Sequence, residues 1–227
     1  MATGKKSPRF TTTWIWPPIS SMALAAALKS AYAKPVAHLL CLAPFTALLW
    51  AAFHGGLGAN PVETLTFETG EWTLRFLLIT LSMTPLRQWT GLASFIRFRR
   101  LFGLYTFFYV SCHFSIWFIA DHSLDIAAMI EDIIKRPYIT LGFSALVLML
   151  PLAITSNRAM IRHLGKKWKS LHQLVYLILS LGVLHFMWLV KADYLQPIIY
   201  AIIAIVLLLH RVGPMKRFSL KSSPATR

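Results

Sequence analysis

Residues 171–190, LHQLVYLILSLGVLHFMWLV, run for twenty positions without an Asp, Glu, Lys or Arg. A stretch of that length and polarity reads as a membrane-spanning helix. It carries two histidines, His172 and His185. Ionisable groups inside such a helix are costly and by default functional. The two lie 13 residues apart (185 − 172), a rise of about 20 Å across a hydrocarbon core about 30 Å thick. One imidazole therefore lies toward each side of the membrane.

Similar apolar runs occupy 36–53, 72–89, 101–120, 138–155 and 195–210, and the gaps between them hold the charges. With the N-terminus inside, the inner segments collect 19 of the 23 Lys and Arg residues, and the outer segments hold all eight Asp and Glu residues. This asymmetry sets orientation in membrane proteins. The formal net charge of +15 is therefore topological, and nucleic acid is not expected as a partner. The sequence predicts an all-α integral membrane protein, a six-helix transmembrane bundle with both termini cytoplasmic. Residues 1–35 form a cytoplasmic extension, with an alanine-rich patch read as a tail or interfacial helix rather than a cleaved signal. Residues 36–211 form the bundle, and 212–227 a basic tail. A further interfacial helix is expected at 127–135. No internal repeat stands out. Cys41 and Cys112 read as buried thiols, and the absence of CxxC or CxxCH gives no support for zinc or covalently attached haem.

Depth can be counted along the predicted helices. His113 lies 13 residues beyond Arg100, and His185 lies 14 beyond Leu171. Both imidazoles fall at one level, toward the outer leaflet. Two neutral histidines from neighbouring helices at one level are the usual axial pair for a b-type haem in a helical bundle. Gly182 and Ser111 would leave room for the flat macrocycle. His172 lies on the inner side, where Arg99 stands at matching depth, as ligand or propionate partner of a second haem, with His163 as a further candidate. Thirteen ideal steps leave His172 and His185 about 140° apart on the helix, so a kink or π-bulge is needed to bring them onto one face. A lone membrane histidine can instead hydrogen-bond a neighbouring helix. His38, His54, His122 and His210, at span ends, read as interfacial, and most of the tryptophans suit the lipid interface. A small proton-coupled transporter is the rival from another class. It is disfavoured because no Asp or Glu falls inside an expected span.

Several motifs together carry a resemblance: HGGLGANPVE (54–63), TPLR (84–87), RFRRLFGLY (97–105), RPYITLG (136–142), TSNRAMIRHLGKKWKSLHQLVYL (155–177) and LHFMW (184–188). Over about residues 36–211 the chain resembles the MsrQ (YedZ) family, within the ferric-reductase-like transmembrane domains. The resemblance implies an electron-transfer subunit of a bacterial inner membrane, carrying one or two b-type haems and FMN. Electrons would come from the quinone pool or a cytosolic flavin reductase. They would pass to a periplasmic molybdopterin-containing subunit that reduces methionine sulfoxide in oxidised proteins. A stand-alone ferric or quinone reductase is the alternative within redox chemistry. The histidines the resemblance carries over are His113, His172 and His185. Larger relatives hold two histidines on the third helix; here Arg99 matches the first in spacing. The FMN phosphate would fall to the inner cations Arg97, Arg99, Arg100, Lys166 and Lys167.

Overall fold

The computed structural model describes residues 19–221, and among them every regular element is helical. The first half of the N-terminal extension and the last six residues of the tail lie outside the described residues. The helices are α1 (Ile19–Lys29), α2 (Ala33–Phe53), α3 (Pro61–Thr90), α4 (Ile96–Ile116), α5 (Ile126–Lys135), α6 (Pro137–Ile154), α7 (Arg158–Leu164), α8 (Lys166–Leu171), α9 (Leu174–Leu189) and α10 (Leu195–Lys221). A 3₁₀ turn (Ala93–Phe95) leads into α4, and a π turn (Trp117–Asp121) follows it. Four stretches are long and apolar enough to cross a membrane: α2, α4 with its flanking turns, α6, and α8 continuing into α9. The apolar part of α10, Leu195–Arg211, is shorter. The protein is a multi-pass membrane protein.

The expected second span, 72–89, is part of a much longer helix. α3 has 30 residues and begins at Pro61, behind Asn60, whose side chain accepts from the Glu63 amide at 3.3 Å. It ends on Gly91 in the left-handed conformation (φ +72°). An asparagine cap with proline at the first position is a strong start signal, and a left-handed glycine a strong stop. α3 packs along the length of α4 and also meets α2, α9 and α10. Its central place explains its polarity. Thr69, Thr73 and Thr80 are buried, and each hydroxyl donates to the carbonyl four residues back at 2.7–2.8 Å. Glu71 is only 5% exposed. The expectation of acid-free helices is thus overturned, because α3 extends eleven residues (61–71) further toward the N-terminus than its apolar run.

Two further features follow from local chemistry. Pro44 lies inside α2, where its ring disturbs the hydrogen-bond ladder. The Tyr109 hydroxyl from α4 enters the opened turn: it donates to the Cys41 carbonyl at 2.8 Å and accepts from the Phe45 amide at 3.0 Å. A side chain inserted between residues i and i+4 is a recognised cause of helix bending. Tyr109→Phe is expected to leave both backbone groups without that partner and to destabilise the protein by about 1–3 kcal/mol, measured by thermal unfolding in detergent. α5 stands where a helix was expected at 127–135. Asp125 caps it through the Ala127 and Ala128 amides at 2.8 and 3.1 Å, and Ile126, Ile130 and Ile134 form an exposed apolar stripe. Trp50, Trp89 and Trp188 are exposed, as suits an interfacial belt, whereas Trp72 joins an aromatic cluster with Phe76 and Tyr109.

Candidate functional site

Two antiparallel helix pairs, α3 with α4 and α6 with α9, form the centre of the bundle. Each pair presents one histidine in the same way. On α4, the His113 Nδ1 lies 2.8 Å from the Thr66 carbonyl of α3. On α9, the His185 Nδ1 lies 2.6 Å from the Tyr138 carbonyl of α6. A carbonyl only accepts, so each Nδ1 carries the proton and donates it. Each Nε2 is left as a lone-pair donor, the state a metal-bound imidazole requires.

The approach to these carbonyls depends on glycine. In an α-helix the carbonyl of residue i faces residue i+4, and the fourth residue after Thr66 is Gly70, after Tyr138 Gly142. A Cβ on Gly70 would stand 3.0 Å from His113 Cε1 and 3.1 Å from its Nδ1; on Gly142 it would stand 2.9 Å from His185 Nδ1. A side chain at either position would crowd the imidazole, which would have to shift against its carbonyl. The two arrangements are related by a constant offset of 72 residues (185 − 113, 142 − 70, 138 − 66), and both imidazole–carbonyl pairs span 47 residues. The bundle core therefore repeats this one local arrangement. Few other residues match between the halves, which is why the repeat is hidden in the sequence.

The two imidazoles meet across the bundle. Their ring centres are 6.3 Å apart and their planes lie at 80°. An imidazole nitrogen stands about 2 Å from a bound first-row metal, and the ring centre about 1 Å further, so two rings on opposite sides of one metal are separated by about 6 Å. The pair lines a cavity of about 750 Å³, within the usual range for a cofactor pocket. Gly70, Gly142 and Gly182 form part of its wall, with apolar contributions from Leu74, Phe114, Phe143 and Ile178. Ser111 does not; its hydroxyl donates to the Phe107 carbonyl at 2.8 Å. The cavity's rim carries Asn60, Glu63, Asp121, Arg136, Lys191 and Asp193. Among the described residues, no three His, Cys, Asp or Glu side chains gather as a metal cage. Two opposed imidazoles in a largely apolar cavity fit a metal whose other ligands arrive in a macrocycle, as in b-type haem.

The inner residues are arranged differently. His172 sits at the break between α8 and α9, where Gln173 and Tyr176 bond three residues back at 3.1 Å. The helix is therefore interrupted at His172 and Gln173. Such tight turns advance about 120° per residue rather than about 100°, which reduces the offset between His172 and His185. His172 stacks on Trp168 at 3.9 Å, its Nδ1 is 3.2 Å from the Trp168 carbonyl, and its Nε2 is 3.4 Å from the Ser156 hydroxyl. No second imidazole opposes it among the described residues. Arg99 lines a small crevice with Gln88, Tyr176, His210 and Arg211. His163 is exposed on α7. Thr66, Gly70, Tyr138, Gly142 and Glu71 are cavity residues that sequence reasoning missed. The equal spacing of Gly70 before His113 and of Gly142 before His185, 43 residues in each half (113 − 70, 185 − 142), is the signal that would have found the glycines.

Comparison with known proteins gives the family. Residues 69–183 match the family model described as ferric reductase like transmembrane component. A protein of Herminiimonas arsenicoxydans is 48% identical over 182 residues, covering 79% of this chain and 84% of its own. One of Xanthomonas euvesicatoria is 48% identical over 201 residues, covering 86% and 91%, and one of Ralstonia nicotianae is 51% identical over 177 residues, covering 77% and 82%. All three are named protein-methionine-sulfoxide reductase heme-binding subunit MsrQ. No solved structure matches the chain. With nearly half its residues shared along most of its length, and a cavity built around paired histidines, the chain belongs to the MsrQ family.

Proposed function

We propose that this protein holds a b-type haem between His113 and His185 and serves as the membrane electron-transfer subunit of a methionine sulfoxide reductase. The observation that carries the reading is the opposed imidazole pair, each ring fixed by a backbone carbonyl through Nδ1. A bound haem supplies a one-electron iron couple. Were the haem bound there, His113 and His185 would both serve as its protein ligands, a donor set that favours electron transfer over substrate chemistry. The glycines admit the macrocycle, and the apolar walls exclude water. Arg136 and Lys191 on the rim are cations suited to carboxylates of the bound group.

Six spans with both termini inside the bacterial inner membrane, α3 and α10 completing the set, put this cavity toward the periplasm. That position suits delivery to a separate periplasmic molybdopterin subunit. Electrons enter from the quinone pool or a cytosolic flavin reductase on the inner side, where His172, Arg99 and Arg211 lie. Arg99, with Arg97, Arg100, Lys166 and Lys167, offers the charge to hold an FMN phosphate. Arg99 equally suits a haem propionate, with His172 as ligand of a second, inner haem.

The reading is tested by the reduced-minus-oxidised visible spectrum of detergent-purified protein, with pyridine haemochrome quantitation. One b-type haem per chain is expected from the outer site, and a second would assign a haem to His172. A colourless protein from cells supplied with ample haem would overturn the reading. His172→Ala is expected to retain the absorption of the His113–His185 pair in full, measured by the same spectrum.

A further inference from the structure

We infer that Glu71, with Tyr200 and Arg75, is a positioning residue that sets the charge facing the haem cavity and so the potential at which a haem there takes up an electron. The inference rests on the reading of the cavity given above. Glu71 follows Gly70 on α3, lines the cavity, and its side chain is only 4% exposed. Both carboxylate oxygens are engaged: Oε2 lies 2.7 Å from an Arg75 Nη, and Oε1 accepts from the Tyr200 hydroxyl at 3.0 Å. Arg75 Nε donates to the same hydroxyl at 3.0 Å, and its guanidinium lies 4.5 Å over the Trp72 ring. The Tyr200 ring packs against Phe186, the neighbour of His185, at 5.8 Å. One closed network thus joins α3 and α10 beside both histidines.

Its asymmetry points to a role beyond helix docking. By the 72-residue offset, the counterpart of Glu71 is Phe143 and that of Arg75 is Val147. The second half builds the same imidazole–carbonyl–glycine unit with apolar residues at both positions. Charge is therefore not needed for the cradle. Burying ions in an apolar bundle is costly, and apolar contacts supply the same docking at less cost. The pair is also polarised: Glu71 faces the cavity, whereas Arg75, 31% exposed, is not part of its wall. In a low-dielectric interior an oriented pair acts over several ångströms. The residue carrying its negative end is the one that lines the cavity, which would favour the more positive, oxidised state of the iron and lower the potential.

Potentiometric titration of the purified full-length protein, loaded with haem, tests this. Glu71→Gln removes the negative end and is expected to raise the ratio of reduced to oxidised haem at fixed potential about tenfold, equivalent to about 59 mV for one electron. Tyr200→Phe keeps both charges but removes the hydroxyl that draws charge from Oε1, so the ratio is expected to fall. A docking role alone would lower the melting temperature in both variants and leave the ratio unmoved or shifted in one direction, and either result would overturn the inference. Should Glu71→Gln fail to fold, the fall in Tyr200→Phe remains the deciding result. Haem content measured in parallel separates the two failures. Wild-type protein without haem sinks the site itself, while haem-loaded variants with unshifted potentials sink only the role of Glu71.

Discussion

His113→Ala and His185→Ala are expected to lose the same haem bands. Each imidazole sits on a different helix pair, yet the ring centres are 6.3 Å apart, so one metal lies between them or none does. Loss of a residue that merely orients a metal ligand already weakens affinity about 10–100-fold. If the two imidazoles hold the haem as proposed, loss of either should exceed that, and little haem should remain after purification in detergent. The double variant should be no worse than either single one, because the two residues act as a unit and their effects do not add. Haem per chain and the reduced-minus-oxidised spectrum check all three proteins. Different bands missing from the two single variants would assign the histidines to separate haems and dissolve the pair.

The second large effect is expected at two residues that offer no ligand atom of their own, Gly142 and Gly70. Alanine at Gly142 would bring its Cβ to 2.9 Å from His185 Nδ1, and alanine at Gly70 would bring its Cβ to 3.0 Å from His113 Cε1. Each ring must shift against its bond to Tyr138 or Thr66, which sits one helical turn from the added methyl. That shift weakens either the carbonyl bond or the aim of the imidazole. Haem affinity is expected to fall about 10–100-fold, the range for lost ligand-orienting contacts, with Gly142→Ala at least as severe as Gly70→Ala. Retained helix content by circular dichroism would show that the fold survives. Alanine at Gly103, where the nearest neighbour would be 3.7 Å away, is the matched control and should bind haem normally.

What the sequence disclosed and what it hid divide along physical lines. Lipid-facing helices announce themselves by unbroken apolar runs, so α2, α4, α6 and α9 were legible to within a few residues. The level of His113 and His185 was legible because rise per residue is constant in a helix. α3 was misjudged because hydropathy reports contact with lipid, and a helix wrapped by its neighbours has no need of it. Its threonines answer their own polarity by bonding within the helix, and Glu71 answers its charge with Arg75 and Tyr200. The glycine cradle was hidden for another reason. Gly70 and Gly142 matter through a carbonyl four residues earlier, and backbone atoms leave no mark in the one-letter code. The position of Tyr109 between Cys41 and Phe45 depends on the packing of α2 against α4, which no local pattern encodes.

The polarity of α3 also bears on how the protein is made. A helix bearing Glu68, Glu71 and Arg75 within two turns gains little by entering lipid alone, since each charged residue near the centre of an inserting segment opposes entry by about 2.5–3.5 kcal/mol. The groups that accommodate it come later in the chain: α4 covers its length, and Tyr200 on α10 completes the Glu71 network. The burial of α3 therefore depends on α4 and α10, and its packing is complete only when the last helix is in place.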